Sequence, residues 1–192
     1  MRRLVIMVTL PRPGCIKTRL AANIGNVPAA RWYRQNCRRV IRQTADPRWQ
    51  TLLAVTPDDA TGNCSFWPPH LARIPQGTGN LGARLRRVFL HLPPDPVIVI
   101  GSDIPEANAD AVQHAFSLLD PRGAVFGPSP DGGYWLVGIG SQLRNRASLF
   151  KNVRWSSPHA LTDSIKSLAG APVRFARELR DVDTVADLRH IL

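Results

Sequence analysis

Acidic residues are scarce in this chain. Fourteen Asp and Glu stand against 25 Lys and Arg among 192 residues, a formal charge of +11. That imbalance points to an anionic partner, and nucleic acid, an anionic membrane surface and a phosphorylated substrate all satisfy it. Long apolar runs are missing as well. Nothing approaches the roughly 18 consecutive apolar residues of a spanning helix, so no membrane span is expected. Met1-Arg2-Arg3 and the apolar residues behind it have the charge of a signal peptide. Pro11 and Pro13 cut that run short and no small-residue cleavage site follows, so the stretch reads as a first strand and the chain as cytoplasmic. Cysteine is sparse too. Cys15, Cys37 and Cys64 are an odd set without metal-ligand spacing, which argues for cytosolic thiols over a disulfide framework. What remains, 44 % apolar and 20 % charged residues, is the composition of a folded protein, and a single domain over 1–192 is expected.

The most informative stretch is Pro96-Val-Ile-Val-Ile-Gly-Ser-Asp-Ile-Pro105. Val97 to Ile100 is an unbroken β-branched run, too short for a helix and apolar on both faces. That pattern fits a central strand covered on both sides by helices. Ligands in such sheets gather at the carboxyl ends of the strands, where Asp103 falls. A carboxylate there suits a divalent cation held against a substrate diphosphate. Asp103 could equally cap the turn before Ile104-Pro105.

Leu4 to Val8 is a second apolar run. It empties into Thr9-Leu-Pro-Arg-Pro-Gly-Cys-Ile-Lys-Thr-Arg-Leu20, whose prolines and glycine enforce a stiff loop. Lys17 and Arg19 stand where a helix begins, so side-chain cations and free N–H groups could meet one anion. The P-loop pattern is excluded, because its first glycine is missing. A helix is expected from Pro28 to about Gln43, a strand over Thr51–Thr56, and a polar turn and loop from Pro57 to His70. In that helix Arg31, Arg34, Arg38 and Arg42 form one stripe, which is either a solvated face or a nucleic-acid contact. The second reading has no aromatic platform beside it in sequence. Phe66 and Trp67 could stack on a base or pack on the core as a lid.

Gly77, Gly79 and Gly82 surround the start of an amphipathic helix, where the backbone could approach a ligand closely. The dinucleotide fingerprint is not met. Further on, a helix is expected over Ala107–Leu119, strands over Gly123–Phe126, Trp135–Ile139 and Val173–Ala176, and a helix start at Ser157-Pro158. Thr184-x-x-Asp187 has the form of a capping box for a final helix, with Asp181 and Asp183 just ahead of it.

Taken in order, six motifs run through the chain. They are the strand followed by Pro-x-Pro-Gly-x-x-Lys-Thr-Arg-Leu, then Gly-x-Leu-Gly-x-Arg, Gly-Ser-Asp-x-Pro, Gly-Pro-x-x-Asp-Gly-Gly-Tyr, Trp-Ser-Ser and Asp-Val-Asp-Thr-x-x-Asp-Leu. The series resembles a family of small bacterial proteins with the nucleotide-diphospho-sugar transferase (GT-A-like) fold. Its members are labelled glycosyltransferases, some of the arsenosugar-biosynthesis type. Relatives by fold include the 2-phospho-L-lactate guanylyltransferases and the molybdenum-cofactor nucleotidyltransferases. The resemblance covers nearly the whole chain and implies a three-layer α/β/α domain with a mostly parallel, mixed, Rossmann-like sheet.

It also implies roles. Pro13, Gly14, Lys17, Thr18 and Arg19 would bind the nucleotide phosphates, and Gly77, Gly79, Leu81, Gly82 and Arg84 would line the nucleotide pocket. Asp103 would hold Mg2+ or Mn2+ with Asp183. Asp103, Lys17 and Asp131 would carry catalysis, Asp131 or Asp183 approaching from the opposite side of the cleft. Two positions depart from the family pattern: Thr9 stands where lysine is usual and Asn80 where aspartate is frequent. The implied reaction is sugar transfer from a nucleotide-diphospho-sugar to a small-molecule acceptor, with nucleotidyl transfer from an NTP as the alternative. A nucleic-acid binder is a third reading and rests on charge alone.

Overall fold

In the computed structural model, residues 1–62 and 64–190 are described, and Asn63, Ile191 and Leu192 lie outside them. Among the described residues seven strands form one sheet. They are β1 (Arg3–Thr9), β2 (Gln50–Thr56), β3 (Ala72–Pro75), β4 (Val97–Ile100), β5 (Ala124–Pro128), β6 (Tyr134–Ile139) and β7 (Val173–Phe175), in the order β3-β2-β1-β4-β6-β5-β7. β1 runs parallel to both neighbours, with Ile6 opposite Leu53 on β2 and Ile100 on β4. β6 alone runs against its neighbours β4 and β5, which makes the sheet mixed but mostly parallel.

The pleat sorts the apolar residues of β1 onto two faces. Leu4, Ile6 and Val8 pack with Tyr33, Cys37 and Val40 of α2 (Asn26–Gln43) and with Val112, Ala115 and Phe116 of α4 (Ala109–Leu118). Val5 turns the other way, joining Val99 and the Leu85, Val88 and Phe89 side chains of α3 (Leu81–His91). Leu161 and Ile165 of α5 (Ala160–Ser167) cover the same face. The result is three layers. It explains why Val97 to Ile100 lack a polar alternation: all four are buried. Each such side chain is worth roughly 1.5–3 kcal/mol against exposure. Two short helices, α1 (Thr18–Ile24) and α6 (Val185–Arg189), meet beside α2, with Val185 against Leu20 and Ala29.

One expectation needs correction, the helix start at Ser157-Pro158, and two elements were not anticipated. Ala72–Pro75 is a strand, although Pro75 lacks an N–H; at the sheet's edge, beside β2 alone, that donor is not needed. The turn after β2 tightens into a 3-10 turn over Asp58–Thr61. The helix placed at Ser157-Pro158 begins two residues later, at Ala160, because Ser157 is spent on a local turn with its hydroxyl donating to the Arg154 carbonyl. The capping box is present: the Thr184 hydroxyl accepts from the Asp187 N–H and the Asp187 carboxylate accepts from the Thr184 N–H. Trp67 is a core residue, and Phe66 packs edge-on against it. Above Phe66 lie the guanidinium groups of Arg34 and Arg38, 5.4 and 5.1 Å from the ring centre, so the stripe does have an aromatic neighbour in space. The three thiols are unpaired.

Candidate active site

β1 is followed in space by β2 and β3 on one side and by β4 on the other, so the connections part between β1 and β4. A crevice opens at the carboxyl ends of such strands. Here it has a volume of about 830 Å³. Its wall is assembled from the loop after β1, the Gly101–Asp103 turn after β4, the start of α3, the β5–β6 turn, Ser156–Pro158 and the segment before α6.

The chemistry converges on three carboxylates. Asp103, Asp181 and Asp183 each bring one oxygen to within 4.8 Å of the others. Against them sits the ammonium of Lys17, 2.6 Å from Asp103 Oδ2 and 2.6 Å from Asp183 Oδ1. The Lys17 side chain is 8 % exposed, while those of Asp103 and Asp183 are 29 % and 39 % exposed. Burial pulls the Lys17 ammonium down, yet attraction to the two carboxylates outweighs it and the group is raised above its ordinary range. Asp181 moves the opposite way for an acid. Burial, then repulsion from Asp103, Asp131 and Asp183, pushes it up to about 6. Arg19 adds a looser contact, 3.5 Å from Asp183 Oδ2.

These groups are aimed by backbone that the sequence explains in parts. Lys17 has φ 47°, a left-handed conformation that costs a β-carbon residue roughly 1–2 kcal/mol, and it turns the side chain inward as the chain enters α1. Gly101 leaves room for Asp103: a β-carbon there would lie 2.8 Å from Asp103 Oδ1. The turn is also held from α2. Asn36 Nδ2 donates to the Ser102 carbonyl at 3.0 Å, and the Tyr33 hydroxyl, which accepts from the Thr9 N–H, lies 2.7 Å from Ser102 Oγ. Burial pushes the Tyr33 phenol up, so it stays neutral, and pushes the Cys37 thiol beside it up to about 12. The two acidic segments are tied by the backbone, the Val182 N–H donating to the Asp103 carbonyl at 3.1 Å.

Of the residues singled out in the sequence, Lys17, Thr18, Arg19, Leu81, Arg84, Asp103, Asp131 and Asp183 line the cleft. Asp131 is outside the three-carboxylate cluster, and its Oδ1 accepts from the Gly133 N–H at 2.9 Å. Pro13, Gly14, Gly77, Gly79 and Gly82 are not among the residues of the cleft wall. The reason is visible for the three glycines before and in α3. The carbonyls of Thr78 and Gly79 accept from Arg87 and Arg84, so that turn is closed by its own helix. Gly82 is a packing glycine, since a β-carbon would lie 2.8 Å from the Trp155 ring. Asn80, one of the two departures, caps α3 by accepting from the Ala83 N–H. Thr9, the other, lines the cleft.

Sequence reasoning missed the third carboxylate, Asp181, and the supports Tyr33 and Asn36. Asn36 did leave a trace: it is a polar residue one turn from Tyr33 on the apolar side of α2. Gln76 was missed altogether. It is buried and lines the cleft, with its amide donating to the carbonyls of Val8 and Ala54.

The layers, the switch between β1 and β4 and the cleft at the strand ends define the nucleotide-diphospho-sugar transferase-like fold. A family model described as "Uncharacterized protein conserved in bacteria (DUF2064)" matches residues 39–157, and the chain belongs to that family. Among solved structures the chain is similar to a protein of Desulfovibrio desulfuricans G20 provisionally described as a nucleotide-diphospho-sugar transferase. The TM-score is 0.89 at 28 % identity, over 99 % of this chain and 85 % of that one. It shares the fold of a nucleotidyl transferase from Methanothermobacter (Mth528), with TM-score 0.61 and 11 % identity over 100 % and 95 % of the two chains. It also shares the fold of Rv0371c from Mycobacterium tuberculosis H37Rv, solved in complex with manganese, with TM-score 0.58 and 15 % identity over 100 % and 97 %. No curated protein matches the sequence. Among the described residues no helix is long and apolar enough to cross a membrane.

Proposed function

We propose that this protein is a transferase acting on a nucleotide-diphospho-sugar, with a divalent cation held by Asp103, Asp181 and Asp183. The observation that carries the reading is the convergence of those three carboxylates within 4.8 Å, beside Lys17, at the strand ends of an 830 Å³ cleft. The donor set fits a hard cation. All three groups offer carboxylate oxygen, the preferred ligand of Mg2+ and Mn2+, and the Lys17 ammonium already occupies the cation's electrostatic place between two of them. When bound, the cation would neutralise charge building on the diphosphate leaving group.

The protein's own residues supply the rest. Arg19 and Arg84 line the cleft as cations for the phosphates, and Lys17 joins them when a cation takes over its two carboxylates. In sugar transfer the bond from the anomeric carbon to the diphosphate oxygen breaks, a bond to the acceptor oxygen forms, and the acceptor's proton must leave. Asp131 is the cleft carboxylate outside the cluster and is assigned that proton. The 28 % identical Desulfovibrio protein supports sugar transfer, and the manganese complex of Rv0371c supports Mn2+ as the probe metal. Nucleotidyl transfer from an NTP is the second reading, favoured by the nucleotidyl transferase among proteins of this fold. It uses the same cations with pyrophosphate leaving.

A thermal-shift panel of UDP- and GDP-sugars and NTPs, with and without Mn2+, separates the two, since a bound ligand raises the melting temperature. Stabilisation by nucleotide-sugars above NTPs is the expected result. The reverse order turns the assignment to nucleotidyl transfer, and no shift by any nucleotide overturns both.

A further inference from the structure

A second cavity, of about 440 Å³, opens elsewhere on the molecule and shares no lining residue with the cleft. Three arginines, Arg39, Arg177 and Arg180, and His190 line it, against one acidic residue, Glu106. They arrive from separate parts of the chain: α2, the stretch between β7 and α6, the end of α6, and the turn after β4. Among the described residues neither Arg39 nor Arg177 has an ion-pair partner, and Arg180 has only a 3.5 Å contact with Asp187. Gln43 completes the wall.

We propose that this cavity is a binding site for a small phosphomonoester, distinct from the substrates of the cleft. The guanidinium forks match phosphate oxygens in shape and charge. The volume lies within the range of small-molecule sites, about 300–1,000 Å³, and exceeds what inorganic phosphate alone would fill. A nucleic-acid strand fits these observations less well, since no Phe, Tyr or Trp lines the cavity as a stacking platform and a carboxylate stands in its wall. The site also has a place in the architecture. Pro105 and Asn108 of its wall follow Asp103 in the chain, and Arg180 immediately precedes Asp181, so an occupant touches both segments that carry the acidic cluster.

The test is calorimetric titration of the full chain with glucose 6-phosphate, glycerol 3-phosphate, inorganic phosphate and glucose. Both phosphomonoesters should bind and glucose should not. Arg39→Gln with Arg177→Gln should weaken them at least tenfold, with circular dichroism unchanged. Asp103→Asn, which disables the cleft, should leave all of these affinities intact. The proposal is overturned if neither ester binds, if the double arginine variant binds as the wild type does, or if Lys17→Asn abolishes the signal and so places the anion in the cleft. Displacement of the esters by a short oligonucleotide that binds more tightly overturns it in favour of nucleic acid.

Discussion

Replacing Lys17 should affect metal and nucleotide in opposite directions. Asparagine is the informative substitution, because it tolerates the left-handed backbone at φ 47° while removing the charge. In the protein without ligands, Lys17 loses two 2.6 Å ion pairs. Stranding a fully buried pair costs about 3–5 kcal/mol. These carboxylates are 29 % and 39 % exposed, and water screens them, so about 1–2 kcal/mol is the appropriate loss. For a chain of this size that is a fall in Tm of roughly 2–8 °C. Mn2+ without nucleotide should nonetheless bind at least tenfold more tightly, a gain of about 1.4 kcal/mol, since its ligands no longer hold a competing cation. UDP without metal should bind about tenfold more weakly or worse, for want of a charge-assisted contact worth about 1.5–3 kcal/mol. Calorimetry with each ligand alone reads both numbers. Unchanged or weaker Mn2+ binding by Lys17→Asn would refute the idea that the lysine stands in for the metal.

Asp103→Asn keeps the size of the side chain and should preserve the fold by circular dichroism while removing Mn2+-dependent nucleotide binding; Mn2+-dependent binding at wild-type strength would remove Asp103 from the metal site. Changing Arg31, Arg34, Arg38 and Arg42 together to Gln should leave nucleotide affinity intact in calorimetry. It should still lower Tm by a few degrees, because Arg34 and Arg38 lose their places over Phe66, each worth about 0.5–1 kcal/mol at an exposed site. A salt-sensitive RNA complex that this variant loses would reverse the assignment. Asp163 is held well below the usual carboxylate range by hydrogen bonds and charge from Arg154, so its contribution to stability is complete above the unfolded value near 4 and is lost as pH falls below it. Asp163→Asn should therefore melt below the wild type at pH 7, and the gap should close in strong acid; a gap independent of pH between 7 and 2 would contradict the ion pair.

The sheet was legible because burial on both faces leaves runs that carry their own signature. Val97 to Ile100 has no polar residue to dilute it, and Leu4 to Val8 is apolar throughout, with Met7 packed on the face turned to α3. Ala72-Arg-Ile-Pro75 was illegible for the opposite reason: an edge strand of four residues with an arginine and a proline has too little apolar surface to announce itself. The glycines before and in α3 were legible as a pattern but not in what they face. Glycine marks a place where a side chain will not fit, but sequence does not say whether ligand or protein fills the space. At Gly82 it is Trp155, distant in the chain, that fills it.

The acidic site shows the same limit at a larger scale. Asp103 could be found from its own strand, because a carboxylate at the end of a buried parallel strand is brought to the crevice by topology alone. Asp181 and Asp183 could be seen only as a pair ahead of a capping box, with nothing nearby to choose between them. The choice is made by a backbone hydrogen bond spanning nearly eighty residues, Val182 N–H to Asp103 carbonyl. With Val182 buried and anchored there, its two neighbours both lie beside Asp103, and alternation does not send one of them to solvent. Burial, then repulsion from its acidic neighbours, pushes Asp181 up to about 6, and three carboxylates so close are why the protein needs Lys17 against them. A lysine in a costly left-handed conformation, buried to 8 % exposure at the meeting point of two acids, is the arrangement expected where a cation is required before any substrate arrives.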